Sequence, residues 1–352
     1  MKIHYVFLVI LLVLNCLIQN CKSTPIEPEP RIKTPREMTW TADTLPVPEG
    51  AIQVLPEDLL VLSPKDIWLA TWVGHGVIMH YDGANWAKVE ESGSISCLTG
   101  TVNDIWAGGY ASYGGDIYLS HYDGNKWNRI NMNIKGELLD MTKDADGNIW
   151  ACGRNGVVLK YDKTKWIADT IKIGYKQAYP EVEYFIRSIE EYNSKHSVIA
   201  WIVDFNRLRN IYYYITGDIS NWVITDSTVS ESSPSIMKFG NWGLYKVNEE
   251  KLYSCGGLGI WEMRNSNWEK IYNTSSSIYS ISGINDSYII AVGDFQQLLF
   301  YDGNSWENFA ALFPQIDHSF VCTNTWTNGY ETIIVGYGDI DGIQKTVVWH
   351  NK

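Results

Sequence analysis

The sequence predicts an all-β fold: a seven-bladed β-propeller of four-stranded blades, its ring closed by an N-terminal strand. Three observations carry that expectation. A Trp-terminated turn motif recurs at the spacing of a propeller blade, an apolar signature precedes each copy, and the two chain ends each carry part of one more blade.

The turn motif is clearest at His80-Tyr81-Asp82-Gly83-Ala84-Asn85-Trp86. It returns as HYDGNKW ending at Trp127, KYDKTKW ending at Trp166 and FYDGNSW ending at Trp306. Looser copies are TGDISNW ending at Trp222 and MRNSNW ending at Trp268. Successive Trp residues lie 41, 39, 56, 46 and 38 positions apart, close to the roughly 40–50 residues of a four-stranded blade. The Asp-Gly pairs supply the positive φ that a tight hairpin needs.

Upstream, Asp66-Ile67-Trp68-Leu69-Ala70 matches Asp104-Ile105-Trp106-Ala107-Gly108 and Asn148-Ile149-Trp150-Ala151-Cys152. Later units keep the apolar run and lose the Trp, as in Tyr288-Ile289-Ile290-Ala291-Val292. A third run, Ile95-Ser96-Cys97-Leu98 or Ile278-Tyr279-Ser280-Ile281, comes before that. Each unit therefore reads as strand A, turn, strand B, loop, strand C, Asp-Gly turn, strand D. Short β-rich runs between regular turn signals argue for all-β architecture, and no segment holds a helical period.

The pattern running from Asp146-Gly147-Asn148-Ile149-Trp150 to Tyr161-Asp162 resembles the propeller repeats of bacterial two-component-regulator sensor regions. From residue 37 onward the chain is also similar to uncharacterised bacterial lipoproteins with YDGxxW blades. The shared motifs are structural, so the resemblance implies the fold and leaves the ligand open.

Six Trp-terminated units leave a remainder at each end. Phe320–Cys322, Thr332–Val335 and Thr346–Trp349 supply strands A, B and C of a seventh blade. The missing D strand is expected at residues 38–44, where Trp40 stands in the place of the Trp that opens every other D strand. Closure of this kind removes an exposed sheet edge.

The chain begins with Lys2 and an apolar run from Tyr5 to Leu14, too short for a stable bilayer span of about 20 residues. Residues 1–21 read as a lipoprotein-type signal, with Cys21 the expected lipidation site and Cys16 the alternative. Residues 22–36 hold Pro25, Pro28, Pro30 and Pro35 among alternating charges and read as a tether. Residues 37–352 form the propeller. The expected location is the cell envelope, membrane-anchored and facing periplasm or surface, or else secreted.

A net charge of −12 excludes nucleic acid as an expected partner and leaves a lipid anchor as the expected contact with membrane. Cys97, Cys152, Cys255 and Cys322 lie in apolar runs without metal-ligand spacing and read as buried packing cysteines, a disulfide remaining open. Neither a cofactor nor a metal is expected, and the protein is expected to be a monomer. No GxSxG, HExxH or P-loop motif occurs. Asp144 and Asp146 lack the distal Glu of a calcium loop and read as a turn.

Binding on a repetitive scaffold resides in its irregular loops. The B–C loops give the candidate ligand-binding residues Trp72, His75, Tyr110, Tyr113, Arg154, Phe205, Arg207, Phe295 and Tyr337. The connection from Ile171 to Glu183 belongs to the same face. Aromatic residues mixed with both charge signs suit a glycan or a peptide or protein ligand. The expected function is a non-catalytic binding or interaction module. The alternative is a propeller enzyme acting on polysaccharide or peptide, with Asp204, Asp294 and Asp339 as the carboxylates in suitable loops.

Overall fold

The apolar runs become the strands of seven antiparallel sheets of four strands each. The computed structural model describes residues 31–112, 114–230, 237–312 and 320–351. The expected signal sequence, Cys16, Cys21, most of the tether and Tyr113 lie outside the described residues. Residues 33–351 belong to one unit.

Strand β1 is Trp40–Thr44. Blade 1 holds β2 to β5 (Leu55–Ser63, Asp66–Trp72, Gly76–Tyr81, Trp86–Ser92), and blade 2 holds β6 to β9 (Ser94–Thr101, Asp104–Tyr110, Ile117–Tyr122, Trp127–Arg129). Blade 3 holds β10 to β13 (Leu138–Lys143, Ile149–Gly153, Val157–Tyr161, Trp166–Thr170). A short helix α1 (Gly174–Ala178) follows. Blade 4 is the longest, with ten residues in each of β14 to β17 (Glu183–Tyr192, Lys195–Asp204, Arg209–Asp218, Asn221–Ser230). Together with α1 it accounts for the wide spacing between Trp166 and Trp222. Blade 5 holds β18 to β21 (Gly243–Asn248, Lys251–Gly256, Gly259–Arg264, Asn267–Asn273), and blade 6 holds β22 to β25 (Ile278–Asn285, Tyr288–Gly293, Leu298–Tyr301, Trp306–Asn308). Blade 7 holds β26 to β28 (Val321–Thr327, Thr332–Ile340, Ile343–Asn351) and takes β1 as its fourth strand.

That fourth strand pairs antiparallel with β28, from Trp40 opposite Asn351 to Thr44 opposite Val347. Both chain ends therefore share one sheet, and the A strands of blades 1 and 7 meet. The protein is a seven-bladed β-propeller closed by an N-terminal strand. Residues just before β1 also pack on the ring: Pro35 is buried, the Tyr288 hydroxyl donates to the Lys33 carbonyl (2.7 Å), and Arg36 pairs with Glu307.

The two Trp signatures turn out to be halves of one contact. Trp68 of blade 1 meets Trp127 of blade 2 edge-on at 6.0 Å, and Trp106 of blade 2 meets Trp166 of blade 3 at 5.2 Å. Trp150 of blade 3 meets Trp222 of blade 4 at 6.4 Å. These three B-strand Trp residues thus pack against the D-strand Trp of the next blade, in the edge-to-face arrangement that aromatic quadrupoles favour. The indole N–H of Trp68 donates to Asp66, and that of Trp106 to Asp104, while His80 and His121 stack on the same rings at 4.1 and 4.2 Å. The Asp two residues before Trp68 and before Trp106 is therefore a partner for a buried N–H, which would otherwise lose its hydrogen bond.

The Asp-Gly turns are structural as well. Asp82, Asp123, Asp162 and Asp302 each accept two backbone N–H groups of their own turn. Asp144 accepts from the Asn148 backbone, the Asn148 amide and the Trp150 indole, so it secures the A–B turn. Cys97, Cys152, Cys255 and Cys322 are all free and buried.

Candidate functional site

The A strands line the central channel, and their shared irregularity decides what faces it. Six of them shift register near their start, at Pro56/Asp58, Ile95/Cys97, Leu138/Asp140, Ile186/Ser188, Ile278/Ser280 and Cys322/Asn324. Such a bulge adds one unpaired residue and re-aims its side chain. The extra residues are Glu57, Ser96, Leu139, Arg187, Tyr279 and Thr323, and all of them line the channel. Trp242 takes the equivalent place in blade 5, its N–H donating to the Cys255 carbonyl.

The residue after the bulge ties one blade to the next. Asp58 accepts from the Leu98 N–H (2.7 Å), Asp140 from Ile189 (2.8 Å), Ser188 from Leu244 (3.1 Å) and Ser280 from Thr325 (3.2 Å). A small polar side chain there satisfies a backbone donor that the next sheet leaves unpaired.

The channel encloses a cavity of about 810 Å³ lined from all seven blades. Its end nearest the B–C loops carries Trp72, Tyr110, Phe185, Trp201, Trp242, Tyr279 and Tyr337. Along blades 3 to 6 two arginines are interleaved with four of these rings in one chain of contacts. The Arg154 guanidinium lies 4.9 Å from the Phe185 ring, and Phe185 lies 5.5 Å from Trp201. Arg187 sits between Trp201 (5.2 Å) and Trp242 (4.0 Å), and Trp242 meets Tyr279 edge-on at 4.7 Å. The supports are fixed: the Trp201 indole donates to Asn210 (2.9 Å), and the Tyr279 hydroxyl donates to Asp294 (3.1 Å).

The two arginines differ in their partners. Arg154 pairs with Glu183 at 3.2 Å and approaches Glu137 at 3.9 Å. Around Arg187, burial holds the guanidinium below the usual arginine range. Among the described residues no carboxylate pairs with it and no acceptor takes its hydrogen bonds.

Acidic groups occupy other stretches of the lining, Glu57 and Asp58 in blade 1, Glu137 and Asp140 in blade 3, and Glu190 in blade 4. Glu57 opens onto the lumen, but protein surrounds the lumen, so poor solvation dominates there. Burial pushes Glu57 and Asp58 up to about 7 and Glu190 to about 8, and Glu137 adds its charge to the effect on Glu57.

No protein-family description matches this chain, and neither does any curated protein. Solved structures do match. YCF48 bound to D1 peptide is 14% identical, with a TM-score of 0.57 over 93% of this chain and 98% of that one. The RRP9 WD40 repeats are 8% identical, with a TM-score of 0.56 over 90% and 100%. A streptogramin B lyase is 9% identical, with a TM-score of 0.52 over 89% and 98%. All three likenesses are of fold. One scaffold thus serves peptide-bound, WD40 and enzymatic proteins, and the site must speak for itself.

Of the residues the loops suggested, Trp72, Tyr110 and Tyr337 meet in the channel mouth, and Arg154 joins its aromatic stack. His75 lines a separate pocket of about 340 Å³ between the Leu45–Pro48 segment and blade 1. Phe205 and Phe295 stand on outer loops, 71% and 69% exposed. Arg207 stacks on Tyr179 (3.8 Å) and pairs with Asp204 (2.9 Å) and Glu181 (3.4 Å). The candidate enzyme carboxylates hold loops: Asp204 accepts from Tyr175 and Arg207, Asp294 from Ser277 and Tyr279, and Asp339 from the Gly342 N–H.

Phe185, Arg187, Trp201, Trp242 and Tyr279 are the mouth residues that the loop reading missed. Most sit on A strands. A usable signal existed there: aligning the A strands of the blades gives Glu57-Asp58, Ser96-Cys97, Leu139-Asp140, Arg187-Ser188, Trp242-Gly243, Tyr279-Ser280 and Thr323-Asn324. The second member is mostly small or polar, and the first varies from blade to blade.

Proposed function

We propose that this chain is a non-catalytic binding propeller that receives a peptide or protein segment at the B–C end of its channel. The observation that carries the reading is the ring of aromatic side chains at the mouth of an 810 Å³ cavity, interleaved with arginine. Rigid aromatic and arginine side chains over a concave site are the usual anchors of a protein ligand. A glycan is the weaker match at Trp201 and Trp242, since each gives a ring face to Arg187. YCF48, which shares the fold, is seen with a peptide bound. We place the protein in the cell envelope, tethered through Cys21, on the strength of its N-terminal sequence.

A second reading has one observation in its favour. Carboxyl groups titrating near 7 and 8 in a cavity are what a general acid requires. It is a weaker fit, because Asp58 has both oxygens committed to backbone N–H groups. The test is a peptide array and a glycan array probed with the parent protein and with Trp72→Ala, Trp242→Ala, Phe205→Ala and Phe295→Ala. Binding should fall at least tenfold for the two mouth variants and stay within about twofold for the two outer-loop variants. Loss confined to Phe205→Ala and Phe295→Ala would move the site to the outer loops. Selective capture of glycans would change the ligand class, and turnover in a parallel hydrolysis screen would favour the enzyme.

A further inference from the structure

We propose that Arg187, held between Trp201 and Trp242 at the channel mouth, is a receptor for a carboxylate carried by the bound peptide segment. This rests on the mouth being the binding site, and it names the chemistry recognised there.

A guanidinium taken out of water normally pairs with an anion, because an unpaired buried charge is strongly unfavourable. Arg154, on the same stack, follows that rule through Glu183 and Glu137. Arg187 departs from it: it is half-buried, its guanidinium carbon lies over the Trp242 ring at 4.0 Å and the Trp201 ring at 5.2 Å, and its N–H groups have no protein partner among the described residues. Two indoles at these distances restrict the movement of the guanidinium before a ligand arrives. A planar donor fork matches a carboxylate through two parallel hydrogen bonds. The lining elsewhere carries acids and no second unpaired arginine, and whatever charge those acids hold opposes a doubly charged phosphate more than a singly charged carboxylate. The carboxylate has two sources in a peptide, the chain terminus and an Asp or Glu side chain. Arg187 stands at a bulge position, where other blades carry Ser96, Leu139 or Thr323, so the scaffold itself does not require an arginine there.

The test uses the full chain labelled with 5-fluorotryptophan, the Trp201 and Trp242 resonances being assigned through Trp201→Phe and Trp242→Phe. The probes are an acetyl-capped tripeptide pool with free C-termini, the same pool amidated, an amidated pool with one fixed Glu, and inorganic phosphate. Saturable shifts of both resonances are expected with the free-acid pool, with the Glu pool, or with both, and the responding pool identifies the source. The neutral amidated pool should bind at least tenfold more weakly, and Arg187→Gln should remove that difference. Equal response to the neutral pool overturns the carboxylate while leaving the mouth as a binding site. Silence of every Trp resonance toward all peptide pools overturns both. Stronger response to phosphate than to either acid pool overturns the ligand class. Stability gives an independent readout: Arg187→Met should melt within about 2 °C of the parent, because no ion pair is broken and only the contacts with the two indoles are lost. A drop of several degrees would mark Arg187 as a structural residue and overturn the proposal.

Discussion

Truncation of Trp40 to Ala tests whether the N-terminal strand locks the ring. Trp40 is 9% exposed and packs in the cluster with Met38, Phe309, Phe320 and Trp349. Removing a buried Trp side chain destabilises by about 3–5 kcal/mol. The whole fold is held by only about 5–15 kcal/mol. For a domain of this size the melting temperature should fall by something on the order of 5–10 °C. The location makes the loss more specific. β1 pairs with one strand only, β28, so it can peel away without unfolding the other blades, and weakened closure appears first as local opening. Limited proteolysis and hydrogen exchange should therefore report faster opening of residues 40–44 and of the β28 amides facing them. Exchange in β15 and β16 should change far less. The reasoning fails if Trp40→Ala melts within about 1 °C of the parent and the β1 amides exchange at the parent rate. A companion pair sharpens the comparison: deletion of residues 37–45 should cost far more than deletion of 22–30, the second endpoint chosen because Arg31 has a partner and Lys33, Pro35 and Arg36 touch the ring.

Stability should fall as pH rises from about 6.5 to 8.5. Glu57, Asp58 and Glu190 titrate at about 7 to 8 when folded and near 4 when unfolded, so the folded state binds more protons in that window. His196 works in the other direction but only below about 6.5, burial having lowered it to about 4; a melting temperature that rises between pH 6.5 and 8.5 would contradict the channel acids. Asp144→Ala should lose about 1–3 kcal/mol in urea titration, since it strands the Trp150 indole N–H and the Asn148 backbone N–H, and an unchanged midpoint would contradict the capping role. The envelope tether predicts an acyl mass on Cys21 in intact-mass spectra of membrane fractions, and cleavage elsewhere without that mass would refute it.

The fold was legible because its determinants repeat. An inter-blade contact that recurs from blade to blade appears in the sequence as a period, and both halves of the Trp pair do so from blade 1 to blade 4. Trp68 with Trp127 and Trp106 with Trp166 are contacts between one copy's B strand and the next copy's D strand. The same logic exposed the seventh blade, since Trp40 could be matched to the residue missing after Trp349. The site was less legible for two physical reasons. First, loop membership does not fix distance from the axis. B and C are the second and third strands outward, so the tip of a long B–C hairpin such as that bearing Phe205 stands clear of the lumen. Trp72 and Tyr110, at the ends of their B strands, still reach it. Second, a bulge leaves only a small trace in an apolar pattern, a core spacing of three where strict alternation gives two or four. Ile186 and Ile189 are both buried in the same core cluster, and a strictly alternating strand would send residues three apart to opposite faces. That odd spacing is the mark of the shift that presents Arg187 to the channel. In a closed ring, recognition then falls to positions that packing leaves unspecified. The bulge residues are such positions: their neighbours tie the blades together, and they themselves are free to be Glu57 in one blade and Arg187 or Tyr279 in another. A ligand contacting several of them meets a different side chain at each step around the channel. Sevenfold pseudosymmetry of the backbone is thereby compatible with an asymmetric binding surface.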